Sequence, residues 1–374
     1  MGIIGVIVAI ILIAIIIFIH EFGHYIMGKL SGCSVSKFSI GWGPKLTSFK
    51  KKETEYRISW FPFIGGYVRM PGMEGESMAL TEEESEDIKR YNLKTFEELR
   101  NWQKFLVFIG GIGLQIITCI LILTLFIDIF GKPVKKVVVT DVITNSPAEA
   151  AGLRKMDIII KVDGQVIDSP QELIDITKDK SDRLMNLTVR RESQFLKIAV
   201  KPTYSDEHKR AMMGIQIGLL TEYKKEGMRW FDYLFGGIIF TGKISLMILQ
   251  QIWMLITNQV SIRYVMGPVG IVLITKDIVQ AGFLQTLLFF ALININLAII
   301  NLLPFPALDG GHIFILSMEK IFRTRIKSKV KEIINMIGLA LLIIFIIYVT
   351  FNDITREVQN KESQVNKAKE IEVK

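Results

Sequence analysis

The chain has 374 residues, half of them hydrophobic, with a formal net charge of +8 and a mean hydropathy of +0.38. That hydropathy excludes an ordinary soluble domain and fits a polytopic membrane protein with some water-facing mass. The excess Lys and Arg mostly flank apolar runs, which reads as membrane-flanking charge and not as a nucleic-acid surface, and two cysteines, Cys33 and Cys119, are too few for a disulfide framework or a thiolate zinc site.

An almost unbroken apolar run from Ile3 to Ile19 ends in His20-Glu21-Phe22-Gly23-His24. It has no basic n-region and no small-x-small cleavage site, so it reads as a retained transmembrane helix and not as a signal peptide. Residues four apart share a helix face, so His20 and His24 can hold one metal ion. Glu21 lies about 100° round the helix, beside such an ion but off the ligand line, where it can take a proton from an attacking water. The pentad also arises by chance in soluble helices. At the end of an apolar span, where ionisable groups are costly, it reads as functional.

Residues 37–42 and 55–60 alternate polar and apolar side chains, the period of a β-ribbon with one apolar face. Gly65-Gly66 then allows bending or close backbone approach. The bland reading is a surface hairpin. Its aromatic face beside membrane helices points to a membrane-associated one, with a free backbone edge at residues 56–60. Residues 74–87 are acidic and serine-rich and read as a loop. A second span covers residues 105–130.

From 132 to 203 the composition becomes that of a small α+β domain. Ser146-Pro147-Ala148-Glu149 and Ser169-Pro170-Gln171-Glu172 each combine an N-cap, a first-turn proline and a capping-box acid, so a short helix starts at each. Strand-like runs lie at 136–142, 157–162, 187–191 and 195–200. Residues 204–282 read as a linker with an interfacial helix. The stretch 230–260 is long and apolar enough to span, but Asp232, Lys243, Gln250, Gln251 and Asn258 fall within a stripe of about 100°. That pattern fits a helix lying in the interface.

A third span, 283–303, closes in Asn301-Leu302-Leu303-Pro304-Phe305-Pro306-Ala307-Leu308-Asp309-Gly310-Gly311-His312. Catalytic zinc takes three protein ligands and leaves a position for water. The prolines break the helix, the glycine pair permits a tight turn, and Asp309 is presented at the break. His312 is the rival third ligand, while His208 reads as a surface residue. A fourth span covers 333–351, and a Lys- and Glu-rich tail follows. The domain limits expected are thus 1–131, 132–203, 204–282, 283–352 and 353–374.

One metal held from the C-terminal ends of the first and third spans requires both to run in the same direction. One net crossing, the second span, must separate them, so 230–260 should not cross. Lys and Arg crowd the loops after the first span, before the second and between the third and fourth. By the positive-inside rule those loops are cytoplasmic, which puts the metal toward the cytoplasmic side and the small domain outside.

The chain resembles the site-2 protease family of intramembrane zinc metalloproteases, in its bacterial regulator of sigma-E protease-like branch. The residues that carry the resemblance are His20 to His24, Gly65-Gly66-Tyr67-Val68, Gly267-Pro268-Val269-Gly270-Ile271, Asn301 through Gly311 and Phe351-Asn352-Asp353. Ser146 through Leu153 resembles a PDZ domain. The resemblance implies an α-helical polytopic membrane protein with four transmembrane helices, a membrane-re-entrant β-hairpin and one inserted α+β PDZ-like domain. It implies Zn²⁺ held by His20, His24 and Asp309, Glu21 as general base, and Asn301 on the substrate backbone. The ribbon residues Tyr56, Ile58, Gly65 and Gly66 are expected to bind substrate by strand addition. Where the family carries Gly-Pro-x-x-Asn in the second span, this chain reads Gly111-Ile112-Gly113-Leu114-Gln115, which keeps an amide. A PDZ turn with Gly-Asp is here Met156-Asp157, which strains Met156 if the turn needs a positive φ.

The function expected is an intramembrane endopeptidase of the cytoplasmic membrane. Its partners are single-pass membrane substrates, the lipid bilayer and an upstream site-1 protease, with no nucleic acid. Anti-sigma factors and signal-peptide remnants are the substrate types implied by the resemblance. The PDZ-like domain is expected either to obstruct untrimmed substrates or to capture a new C-terminus. Two rival readings are a non-catalytic PDZ-bearing adaptor with a vestigial metal site and a metal transporter. The adaptor is disfavoured because all four motif residues are intact. The transporter would want further ionisable residues inside the spans.

Overall fold

Side chains that are apolar on every face suit a helix surrounded by lipid or other helices. The opening run does form such a helix in the computed structural model, which describes residues 3–73, 80–206, 208–225 and 229–372: α1, Ile3–Leu30. Strands β1 (Lys37–Lys51) and β2 (Thr54–Arg69) and helices α2 (Glu82–Tyr91) and α3 (Asn101–Phe130) follow. Next come β3 (Lys132–Val142), α4 (Pro147–Ala150), β4 (Ile158–Val162), β5 (Gln165–Val166), α5 (Pro170–Lys178), β6 (Met185–Arg191), β7 (Gln194–Val200), β8 (Thr203–Ser205), β9 (Arg210–Met212) and β10 (Ile215–Lys224). Helices α6 (Trp230–Ile256), α7 (Pro268–Ala281), α8 (Phe283–Leu302), α9 (Asp309–Phe322) and α10 (Ser328–Glu372) complete the chain. Two compact units result, Met1–Leu125 with Leu234–Lys374, and Phe126–Tyr233.

Among the described residues five helices are long and apolar enough to cross a membrane: Gly5–Leu30, Asn101–Phe130, Trp230–Ile256, Phe283–Leu302 and Ser328–Gln359. Length and composition alone therefore do not reduce the number to four. Helices α1 and α3 touch through backbone, since a Cβ on Gly23 would lie 2.2 Å from the Gly110 carbonyl oxygen. Helix α6 packs Phe240, Ile244, Ile248 and Ile252, one residue per turn, against Cys119 and Leu123 of α3 and Ala291, Ile295 and Ile299 of α8. Its exposed residues mix Lys243, Gln250 and Gln251 with Leu246, Met247 and Trp253.

The ribbon is folded more tightly than its alternation implies. Phe38, Ser39 and Ile40 pair with Tyr56, Arg57 and Ile58 on one side and with Val68, Tyr67 and Gly66 on the other. Tyr56, Arg57 and Ile58 pair again with Phe49, Ser48 and Thr47. Two bent strands thus make a sheet in the order 45–51, 54–59, 37–40, 66–69. The free edge expected at Tyr56 and Ile58 is corrected by this pairing: both have a strand on each side, and the open edges are 45–51 and 66–69. The alternation fixes which face is apolar, but not how often a long strand is used. The sheet is fastened to α1 by the Tyr25 and Tyr56 hydroxyls, 2.7 Å apart, and by Phe38 against the Phe18, Phe22 and Tyr25 rings. Lys29 forms an ion pair with the buried Glu53.

Part of the acidic stretch expected as a loop is helix α2, and residues 74–79 lie outside the described residues. Thr81 and Glu84 form a capping box, with the Thr81 hydroxyl accepting from Glu84 N–H and the Glu84 carboxylate from Thr81 N–H. The unit Phe126–Tyr233 holds a sheet in the order β10-β3-β4-β6-β7, with β5 beside β4. Val137, Val139, Ile159, Leu173, Leu187 and Val189 fill its core. Strand β10 pairs along β3 from Ile215 opposite Val142 to Lys224 opposite Lys132, so this sheet runs past residue 203 into the stretch expected as linker. Met156 adopts φ 71°, the strained conformation anticipated for that turn.

Candidate metal centre

His20 and His24 face the same side of α1, as their spacing requires, and Asp309 is the first residue of α9. Pro304 and Pro306 force extended backbone before the new helix, and Leu303 has φ −62° and ψ 142°. The two glycines after Asp309 are helical, so they serve a different purpose from the turn expected of them. A Cβ on Gly310 would lie 2.2 Å from the Leu303 carbonyl oxygen, and one on Gly311 2.2 Å from that of Phe305. They let the 302–306 loop fold down onto the start of α9, which aims Asp309 at α1.

His20 Nε2 lies 3.2 Å from Asp309 Oδ2, His24 Nε2 lies 3.3 Å from it, and the two Nε2 atoms are 3.2 Å apart. The other ring nitrogens donate elsewhere: His24 Nδ1–H to the Val107 carbonyl at 2.8 Å, and His20 Nδ1–H to Gln115 Oε1 at 3.2 Å. In the tautomer that donates from Nδ1, each ring turns an Nε2 lone pair toward the carboxylate. Asp309 Oδ2 is buried and has no hydrogen-bond donor among the described residues. Three lone-pair atoms brought together in this way repel one another unless a cation lies among them.

Glu21 is outside this triangle. The Val68 N–H reaches its carboxylate, and a Cβ on Gly66 would lie 3.1 Å from its Cγ. The open edge 66–69 therefore runs beside Glu21. Asn301 is buried, with Nδ2 3.4 Å from His20 Nε2. Gly65 and Gly66 stand at the start of this edge, whereas Tyr56 and Ile58 lie two strands away from it. The rival ligand His312 instead stacks on Phe108, with centroids 4.8 Å apart and planes 3° apart. His208 is in the unit Phe126–Tyr233, where its Nδ1 is 3.4 Å from Ser205 Oγ.

The sequence matches Peptidase family M50 over residues 8–345. The chain belongs to that family. It is 29% identical to a zinc metalloprotease RasP of Oceanobacillus iheyensis, an alignment covering 93% of this chain and 98% of that one. It is 27% identical to the regulator of sigma-W protease RasP of Bacillus subtilis, covering 94% and 98%. A solved PDZ domain of an SdrC-like protein from Listeria monocytogenes is 27% identical over 22% of this chain and 85% of that one, with a TM-score of 0.21. The chain is a zinc metalloprotease with membrane-embedded helices.

The donor set suits that metal. Two ligand atoms each ~2.0–2.1 Å from a tetrahedral zinc stand ~3.3 Å apart, the spacing that the two imidazoles and the carboxylate already have. Two imidazoles and one carboxylate also leave a coordination position for water. Around the donors stand residues that spacing along the chain does not reveal. Gln115 is fully buried, and Asn294 Nδ2 donates to its backbone carbonyl at 2.7 Å. A Cβ on Gly111 would lie 2.6 Å from His24 Nε2, so only glycine leaves the rings their room. The Gly111-to-Gln115 stretch carries the signal, as a glycine and an amide one helical turn apart in an otherwise apolar span.

Proposed function

We propose that the chain cuts peptide bonds in the membrane-spanning segments of other membrane proteins, with His20, His24 and Asp309 as zinc ligands and Glu21 as general base. The observation that carries this reading is the convergence of two imidazole nitrogens and one carboxylate oxygen within 3.3 Å of one another, with Glu21 on the helix that carries the two histidines. The non-catalytic adaptor reading has no support from a set in which every one of these residues is present and aimed inward.

A membrane helix keeps its amides paired and its carbonyls shielded, so the segment to be cut must first unwind. The open edge 66–69 offers backbone groups for strand addition, and its Val68 lies against Glu21. A segment added there passes alongside the base. In this reading Asn301 donates from its side-chain amide to the backbone of the same segment. Zinc, when bound, supplies Lewis acidity that polarises a carbonyl and eases proton loss from water. Glu21 takes that proton and later gives it to the leaving amine.

The number of crossings is part of the same reading. The histidines lie toward the C-terminal end of α1 and Asp309 follows the C-terminal end of α8, so α1 and α8 run the same way through the bilayer. Helix α7 has 14 residues, ~21 Å of rise, too short to return if α6 crossed. Four helices then span, α6 lies along the membrane with Lys243, Gln250 and Gln251 toward water, and the zinc site faces the basic loops on the cytoplasmic side of the cytoplasmic membrane. The unit Phe126–Tyr233 is PDZ-like and extracytoplasmic. The Bacillus subtilis relative is named a regulator of sigma-W protease; in the proposed reading the substrates are membrane-anchored regulators, cut after a first protease has trimmed them.

Glu21→Gln tests the mechanism. The purified variant should keep about one zinc per chain. It should cleave a membrane-helix substrate about 10²-fold more slowly, as for a lost general base. Cleavage at the wild-type rate would sink the reading.

A further inference from the structure

Away from the zinc ligands, a cavity of about 460 Å³ opens between the start of α3, the end of α9 and the start of α10. None of His20, Glu21, His24 or Asp309 lines it. Its size falls within the ~300–1,000 Å³ of small-ligand pockets. Five Lys and Arg side chains line it against two acids, Glu97 and Glu319. Glu319 is already engaged: its Oε1 accepts from Lys331 Nζ at 3.0 Å and from Ile326 N–H at 2.8 Å. Glu97 is exposed. Lys104 is half-buried, with Nζ 5.7 Å from the centroid of the Phe96 ring. Among the described residues neither Lys104 nor Arg325 has a carboxylate in ion-pair range. Lys331 is buried and Lys104 half-buried, while Lys320, Arg323 and Arg325 are exposed at the rim, and cations gathered with so few acids favour an anion between them.

The position of the cavity narrows which anion. Lys104 is in the first turn of α3 and Lys331 in the first turn of α10, both helices apolar enough to span. Trp102, Phe105, Ile321 and Phe322 are exposed close by in sequence, the amphipathic and apolar rim of a bilayer surface. We infer that this cavity binds the phosphate of an anionic phospholipid headgroup, with the Arg325 guanidinium and the Lys104 ammonium as its principal partners. Basic pockets between membrane helices suit such headgroups, and a guanidinium matches phosphate oxygens in pairs. Free inorganic phosphate has the same chemistry, and the test separates the two sources.

The full chain is placed in nanodiscs of phosphatidylcholine with phosphatidylglycerol, then released into detergent, and its retained lipids are weighed by native mass spectrometry. The wild type should retain phosphatidylglycerol in preference to phosphatidylcholine. Lys104→Gln with Arg325→Gln should lower that retention at least about tenfold, from about fivefold per basic side chain. Lys51→Gln with Lys52→Gln removes the same charge from the exposed turn of the ribbon and should leave retention unchanged. A second arm titrates inorganic phosphate into the protein in pure phosphatidylcholine discs. Phosphate binding that depends on Lys104 and Arg325, without any preference for phosphatidylglycerol, overturns the lipid assignment in favour of a soluble anion. Equal retention of both lipids by the wild type with no phosphate binding overturns the site itself, whatever the folding of the variants. Equal loss in the two double variants does so as well, because it reduces the effect to net charge.

Discussion

Gln115 carries no charge and does no chemistry, yet the lone pair that His20 offers depends on it. Its amide oxygen accepts His20 Nδ1–H at 3.2 Å from a fully buried position, which leaves Nε2 facing Asp309. Gln115→Leu keeps the bulk and removes the acceptor. Partners of this kind are worth 10–100-fold in metal affinity. We expect the variant to lose zinc to a competing chelator at about tenfold lower concentration than wild type, with Gln115→Glu close to normal. Unaltered zinc retention in Gln115→Leu would remove Gln115 from the site. The two histidines and Glu21 are legible in the sequence because one helix turn sets their geometry. The choice between Asp309 and His312 is not, since both follow the same helix break. It turns on which way α9 faces, and that is set by backbone packing against Gly310 and Gly311. Gln115 stands out in the sequence as an amide in an apolar span, but that it meets His20, 95 residues away, is not open to local reasoning.

At the scale of elements, the ribbon and α2 were only partly legible. Alternation announces a strand, but pairing on both sides of Tyr56 and Ile58 arises from bends that alternation does not record. The open edge beside Glu21 is Gly66–Arg69, so Gly66→Ala should act on catalysis. Its Cβ would press on the Ser39 carbonyl at 2.9 Å and on Glu21 Cγ at 3.1 Å. We expect at least about tenfold slower cleavage with zinc content unchanged, since a displacement of well under an ångström is enough to misalign a base. Normal turnover would place the substrate elsewhere. Helix α2 did announce itself, by Thr81 three residues before Glu84, but its acidic composition masks the signal. Burial pushes the Glu84 carboxyl up, yet the Thr81 backbone N–H, the Ser36 hydroxyl and the Arg69 guanidinium together hold it below the usual carboxylate range. Its ionised form therefore stabilises α2 above the unfolded value of ~4.3, and that contribution is lost as pH falls through the lower folded value. Glu84→Gln should speed amide exchange across residues 82–91 about fivefold near neutral pH, as for a lost cap. The ratio of variant to wild-type rates should shrink toward one in acid; a ratio independent of pH would mean that the charge is not what holds the helix.

For the molecule as a whole, apolar runs make the membrane helices plain, and capped prolines mark the two short helices of the inserted domain. What the sequence hides there is β10, which lies more than seventy residues beyond its partner β3 in the chain and carries no signal of that pairing. The crossing pattern is open to a direct check. In a background without Cys33 and Cys119, a reagent that cannot cross membranes should label Asp168→Cys from outside and not Lys327→Cys. The reverse labelling inverts the orientation, and labelling of cysteines at Lys225 and Ile262 from opposite sides would make α6 a fifth span. The contact of Gly23 with Gly110 bears on how such a machine opens. The two backbones meet at one close crossing, where Gly23 lies against Gly110 and Gly111. His20 and His24 stand at that crossing, where a Cβ on Gly111 would lie 2.6 Å from His24 Nε2. A substrate helix therefore has no way in between α1 and α3 at the height of His20 and His24, where not even a methyl group fits.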